Sequence, residues 1–273
     1  MTAADPQAIE LELVVEAIFR RYGHDFRNYA RASLERRLRS RMRSEGMNTL
    51  LDLVPRILHE PPFAASLIDD LSVTVTEMFR DPSLYQMLRT EIIPVLQTYP
   101  YAKIWHAGCA TGEEVYSMAI VLHEEGFLER VQLYATDCNK RALELAKQGI
   151  YSMQDMQKAT SNYNKTAPKG AFHDYYHARY KSAALARFLR ERVIFAHHNL
   201  ATDTAFGTMN VVLCRNVMIY FNRQLQDRAL RLFRDSLCRR GFLILGTKET
   251  LEFSSVVDTF EPVDLPHRVY RMK

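Results

Sequence analysis

From residue 101 onward the sequence sets short apolar runs against stretches of helical period, and this alternation limits the possible fold more than any other feature. AKIWHAG, VQLYATD, RVIFAHHN, MNVVLCRN and GFLILGT have the length and composition of buried strands, and HRVYRM reads as a last edge strand. Between them, EEVYSMAIVLHEEG, NKRALELAKQGIY and RQLQDRALRLFRDSLCRR repeat apolar residues at helical spacing. Strand alternating with helix predicts an α/β fold, a doubly wound, mostly parallel sheet with helices on both faces. Residues 160–192 interrupt the pattern. They are rich in Tyr and Lys, contain Pro168-Lys169-Gly170, and predict a small inserted element.

Residues 8–72 carry no strand pattern and read as helices closed by Gly23, Gly46 and the Pro61-Pro62 pair. In the second, Leu34, Leu38 and Met42 recur every four residues while Arg36, Arg39 and Arg43 fall on the opposite side. One face packs and the other presents guanidinium groups, either as a docking surface or simply as a solvated face. The chain's net charge is only +4, but residues 20–45 hold nine arginines against Asp25, Glu35 and Glu45, which leaves the remainder slightly acidic. Charge concentrated in this way implies an anionic partner.

The 273 residues, 47% of them hydrophobic and 25% charged, suit an ordinary globular protein with room for a large domain and a smaller one. The opening MTAADPQAIELEL has no basic stretch leading into an apolar core, and no apolar run reaches membrane-spanning length, so a cytoplasmic location is expected without membrane insertion. Four cysteines at 109, 138, 214 and 238 lack C-x-x-C spacing, so neither a zinc site nor a disulfide framework is indicated. His197 and His198 do not suggest a metal pair either, since adjacent strand residues point to opposite faces. No metal is expected.

In a doubly wound sheet the ligand lies outside the carboxyl ends of the strands. The loop after the first strand, HAGCATGEE, has glycines only at 108 and 112 and fails the G-x-G-x-x-G test for a dinucleotide. Two glutamates at the following helix start would repel a phosphate. Asp137 ends the second strand, 25 positions after Gly112, where a carboxylate accepts hydrogen bonds from both ribose hydroxyls of an adenosine-containing ligand. S-adenosylmethionine brings an ammonium and a sulfonium, and Glu114 suits it by Coulomb attraction. The preference of acids for a helix N-terminus accounts for one glutamate equally well. TVTEMFRDPSLYQML, with Arg80, and LCRNVMIYF, with Arg215, Asn216 and Tyr220 after a buried strand, add polar groups at sites that are costly to fill without purpose.

TVTEMFRD, HAGCATGEEVYSMAI, LYATDCNKRALELAKQGIY, HHNL and LCRNVMIYF, in this order, resemble the CheR family of chemotaxis receptor methyltransferases, over nearly the whole chain. The resemblance implies a class I, Rossmann-like S-adenosylmethionine methyltransferase that converts glutamate side chains of chemoreceptors to methyl esters, leaving S-adenosylhomocysteine. It also implies an N-terminal helical domain over 1–73, a connecting segment over 74–98 that contributes to the cofactor site, and a methyltransferase domain over 99–273 with a small inserted β-subdomain. By the same resemblance Thr74, Thr76 and Arg80 lie beside the methionyl part, Glu114 meets its ammonium, and Asp137 meets the ribose. Asn199, Leu200, Arg215 and Asn216 flank the adenine, and Arg80 and Tyr220 stand nearest the transferred methyl. Arg36, Arg39 and Arg43 would dock the cytoplasmic helical bundle of the receptor. The sequence departs from the family at Thr74, often Asn, at Met78, often Phe, and at Val115, often Pro, while GTKE (246–249) stands in place of its G-H-S-E.

Some members grip a receptor-tail peptide at the β-subdomain edge through a glycine-containing turn. Residues 171–206 contain no glycine, which predicts independence from such a tail. Two rival readings are a nucleic-acid methyltransferase and a non-catalytic S-adenosylmethionine sensor. The chain lacks an N-P-P-Y-like tetrad and aromatic-basic interleaving, against the first, and keeps Arg80 and Tyr220, against the second.

Overall fold

The computed structural model describes residues 5–72 and 76–273. Two compact units emerge: one takes the chain through residue 72 together with Met218–Ala229, the other residues 76–217 with Leu230–Lys273.

The helical unit contains α1 (Pro6–Tyr22), α2 (Arg31–Ser44), α3 (Leu53–His59) and α4 (Pro61–Leu71). The carboxylate of Asp5 caps α1 by accepting the Gln7 N–H, and Gly23 closes it at φ 78, a left-handed C-cap that glycine adopts without steric cost. The prolines at 61 and 62 stop α3 and then open α4, because first-turn positions have no intrahelical N–H bond to lose. Val14, Ile18, Leu38, Leu53, Ile57 and Leu67, all fully buried, knit the helices together. The leucine face of α2 packs as its period predicts, with Leu34 and Leu38 buried.

The second unit begins with a helical stretch, α5 (Pro82–Met87), a π turn (Leu88–Ile92) and α6 (Ile93–Leu96). Then follow β1 (Ala102–Ala107), α7 (Glu113–Glu124), β2 (Val131–Asp137), α8 (Lys140–Gln148), β3 (Ile150–Ser152) and α9 (Met153–Tyr163). The remaining elements are β4 (Tyr176–Arg179), β5 (Ser182–Leu185), α10 (Arg187–Arg190), β6 (Val193–His197), β7 (Met209–Cys214), α11 (Arg223–Ser236), β8 (Leu237–Leu245), β9 (Phe260–Asp264) and β10 (Val269–Met272). The main sheet runs β6-β2-β1-β7-β8-β10-β9. The pairings among its first five strands are parallel. The chain winds outward from β1 through β2 to β6 and then returns to β7 on the other side of β1. This creates the topological switch point at which ligands of such sheets bind.

Two details differ from the sequence reading. β10 lies between β8 and β9 rather than at the edge, and β9, which the apolar pattern did not reveal, is the outer strand. β9 reads FEPVD, and Pro262 and two acids suit a strand with one unpaired side. The small antiparallel sheet, β3-β5-β4, draws a strand from Ile150–Ser152, upstream of 160–192, because Gly149 turns the chain out of α8 at φ 59. A buried cluster braces this region. Arg89 of the π turn pairs with Glu124 and with Glu125 (2.7 Å), and Glu124 also accepts hydrogen bonds from the hydroxyls of Tyr163 and Tyr175.

Candidate active site

The loop after β1 folds back over the end of β2. The N–H groups of Gly108 and Cys109 both donate to the Thr136 carbonyl, at 2.8 and 2.9 Å. Left-handed conformations at Gly108 (φ 75), Ala110 (φ 48) and Gly112 (φ 91) make this turn possible. At 108 the residue must be glycine, since a Cβ would stand 2.5 Å from Val217 Cγ2, and the β1 and β7 loops could not approach each other. Asp137 Oδ2 accepts the Ala110 N–H and Oδ1 the Asn139 N–H, each at 2.8 Å. Burial pushes this carboxyl above its ordinary range, against the hydrogen bonds it accepts from Asn139, Ala110 and Cys138. The His198 N–H donates to the Asp137 carbonyl (3.2 Å), so Asn199 and the buried Leu200 follow directly at the Asp137 end of the sheet. Asn199 Oδ1 accepts the Ala201 N–H (2.9 Å), and its own N–H donates to Asp203 (2.9 Å).

A second group gathers at the head of α7. Glu114 Oε1 accepts from His106 Nδ1 (3.0 Å) and Oε2 from Arg215 Nη1 (2.9 Å). Arg215 Nη2 reaches Asp81 at 2.5 Å. Burial pushes the Glu114 carboxyl up, but the hydrogen bond from His106 and the charge of Arg215 outweigh it and hold the group below the usual range. Glu114 is therefore an ionised carboxylate inside the site. Arg215, with a side chain 2% exposed, is committed to Asp81 and Glu114. Its guanidinium, which the resemblance puts beside the adenine, lies between these two carboxylates.

Arg80 sits between two strained residues, Phe79 (φ 53) and Asp81 (φ 56). Non-glycine residues hold this conformation at a cost of order 1 kcal/mol or more, so the surroundings must enforce it. Phe79 is fully buried, with ring centroids 5.1 Å from Tyr163 and 5.5 Å from Tyr85 and Phe172, and its N–H donates to Ser117 Oγ (2.9 Å). Asp81 is held by Arg215. The loop is pinned on both sides, and Arg80 between them is half-buried and forms no ion pair among the described residues. Thr76 shares a small cleft with Met78, Glu113 and Tyr151. Thr74 lies outside the described residues.

Asn216 turns left-handed (φ 61) after β7, and Glu249 locks the turn. The Glu249 carboxylate accepts backbone N–H groups from Asn216 (3.1 Å), Val217 (3.0 Å) and Gly246 (2.6 Å). Sequence reasoning left GTKE without a role and did not single out His106 or Asp81. The available signals were a histidine inside the apolar run AKIWHA and an acid next to Arg80.

Tyr220 belongs to the helical unit. Its carbonyl accepts the Ala30 N–H at 2.6 Å, and the Arg37 guanidinium lies 5.6 Å from its ring centroid. On α2, Arg36 and Arg43 are exposed and form no ion pair among the described residues. Arg39 differs from its two neighbours in the stripe, being paired with Glu35 (2.7 Å) and bonded to Gln7 (2.7 Å).

A carboxylate pair spaced along the carboxyl ends of β1 and β2, in place of a phosphate cradle, on a mostly parallel sheet closed by an antiparallel strand, defines an S-adenosylmethionine-dependent methyltransferase. The donor set suits such a cofactor: an ionised Glu114 for a cationic group, the Asp137 carboxylate at the end of β2 for hydroxyl donors, and a Gly108 turn that keeps side chains out of the switch point. Residues 74–269 match the CheR methyltransferase SAM-binding domain and residues 9–72 the CheR methyltransferase all-alpha domain, so the chain belongs to the CheR methyltransferase family. It is 49% identical over 271 residues to the putative methyltransferase Cher3 of Pseudomonas putida, covering 99% of each chain. It is 30% identical over 214 residues to a chemotaxis protein methyltransferase of Vibrio anguillarum (76% of this chain, 75% of that one). Chemotaxis protein methyltransferase 1 of Pseudomonas aeruginosa is 29% identical over 250 residues (87% and 88%). No helix among the described residues is long and apolar enough to cross a membrane.

Proposed function

We propose that the chain transfers a methyl group from S-adenosylmethionine to glutamate side chains on the cytoplasmic helical bundle of chemoreceptors, forming methyl esters in chemotaxis adaptation. Relatives named as chemotaxis protein methyltransferases support the setting. The observation that carries the substrate class is the asymmetry between two arginines. Arg215 is neutralised by Asp81 and Glu114, whereas Arg80, rigidly presented between left-handed residues, has no acidic partner among the described residues. A guanidinium held this way is suited to a carboxylate from outside.

A glutamate side chain, with a reference pKa of about 4.3, is ionised at neutral pH, so no general base is required. When bound, the cofactor supplies the activated methyl on its sulfonium. The protein's work is to bring a carboxylate oxygen in line, within about 3–3.5 Å, and to exclude water. Both charges disappear as the ester forms, so a dry site favours the transition state over the separated ions. In this reading Arg80 holds the incoming carboxylate, and Tyr220 fixes its orientation through its hydroxyl. Glu114 engages the ammonium and Asp137 the ribose, with Thr74 and Thr76 at the methionyl part and Asn199, Leu200, Arg215 and Asn216 about the adenine. The Arg215 guanidinium, 2.9 Å from Glu114, balances the acids there. Arg36 and Arg43, with Arg39 beside them, supply the electrostatic docking face.

Incubation with labelled S-adenosylmethionine and receptor-containing membranes is the direct test. Label released as methanol by mild base supports the proposal, and base-stable label on protein or nucleic acid overturns it.

A further inference from the structure

We propose that His106 is the positioning residue that sets the Glu114 carboxylate for the amino-acid end of the cofactor. This rests on the reading that Glu114 meets the ammonium. His106 lies in the middle of the main sheet, opposite Ala135 of β2 and Leu213 of β7, and is 1% exposed. A polar ring there costs free energy unless it is hydrogen-bonded. Among the described residues its ring has a single bond, from Nδ1 to Glu114 Oε1 at 3.0 Å, and Nε2 is buried without a partner.

The tautomer follows from the partner. An ionised carboxylate accepts only, so Nδ1 carries the proton and donates. Asp81 offsets Arg215, and Glu114 keeps its negative charge facing the cofactor. A lysine or arginine at 106 would hold Glu114 as firmly but cancel the charge that attracts an ammonium.

The geometry also assigns His106 a directional role. Arg215 pulls on Oε2 alone, and a carboxylate held at one oxygen swings about that contact. The bond from His106 to Oε1 fixes its plane, and each oxygen retains a free lone pair on the side away from its donor. Binding at this end is thereby pre-organised.

Calorimetric titration with two ligands tests the inference: S-adenosylhomocysteine, which has the amino-acid end, and 5′-methylthioadenosine, which lacks it. His106→Leu is expected to raise the Kd for S-adenosylhomocysteine by about tenfold and to leave that for methylthioadenosine within about twofold. His106→Asn, whose amide nitrogen falls near the position of Nδ1, is expected to recover most of the loss. Equal weakening for both ligands, or no change for either, overturns the proposal. If His106→Leu folds poorly, His106→Ala against His106→Asn gives the same comparison. Glu114→Gln separates the two claims. If it loses S-adenosylhomocysteine while His106→Leu does not, the positioning role fails and the reading of Glu114 stands. If Glu114→Gln binds as the unaltered protein does, the reading of Glu114 fails and the proposal with it.

Discussion

Glu249 accepts the backbone N–H groups of both Asn216 and Val217, tying the turn that ends β7 to the turn that ends β8. Glu249 is 4% exposed, and a Cβ at Gly246 would stand 2.7 Å from its carboxylate, so the acid and the glycine form one device. Glu249→Gln replaces one acceptor oxygen by an NH2 that faces backbone donors. Urea unfolding should show a loss of about 2–3 kcal/mol, the cost of leaving buried donors unpaired. Hydrogen exchange at the 216 and 217 amides should accelerate more than exchange within β1. Unchanged protection there would contradict the role.

Arg80→Ala should lower turnover at saturating substrate by on the order of a hundredfold, because the interaction lost acts on the reacting carboxylate. Arg80→Lys keeps the charge without the planar fork and should recover only part of the rate. A rise in KM with turnover unaltered would remove the catalytic half of the assignment.

The Glu113 carboxyl is pushed up to about 7, chiefly by burial, against the Thr111 hydroxyl that donates to it at 2.7 and 2.9 Å. The unfolded chain releases this proton near the ordinary value of 4.5, so between 4.5 and about 7 the folded state binds more protons. Stability contributed by this group therefore falls as pH rises through that window and is level above it. Glu113→Gln should flatten that part of the stability profile and raise stability at pH 8 by roughly 1–2 kcal/mol, the full shift being discounted for partial exposure. Parallel profiles for variant and unaltered protein would refute this account.

Charge reversal at Arg36 and Arg43 should slow methylation of receptor membranes several-fold at low ionic strength and much less at high salt, since exposed charges act over about a Debye length. Arg39→Glu should have the smaller direct effect, because its guanidinium is already engaged by Glu35 and Gln7. Initial rates across a salt series distinguish the three.

The turn joining β4 and β5 is Tyr180-Lys181, with Tyr180 90% exposed and at φ 54, and it contains no glycine. A receptor C-terminal peptide is expected not to bind measurably in fluorescence titration. Saturable micromolar binding would show that strand addition at this edge proceeds without a glycine turn.

What the sequence determined by itself was whatever depends on local spacing. The buried strands β1, β2 and β7, the helices between them, the leucine face of α2 and the glycine turn at 108 follow from periodicity and from steric limits that act within a few residues. The cofactor class was partly legible for the same reason: a strand end followed by two glycines and two acids falls within eight residues, from Ala107 to Glu114, and Asp137 ends the next strand 25 positions after Gly112. Only the tertiary structure decided which charges cancel. Arg215 is 101 positions from Glu114 and 134 from Asp81, and Glu249 is 33 from the turn it locks. These partners meet because parallel strands from distant parts of the chain end at the same edge of one sheet, and no local pattern encodes which of them will face each other. The outer position of β9 was hidden likewise, since edge and centre are properties of pairing order. Arg80 and Arg215 look alike in sequence. The fold neutralises one and leaves the other without an acid among the described residues.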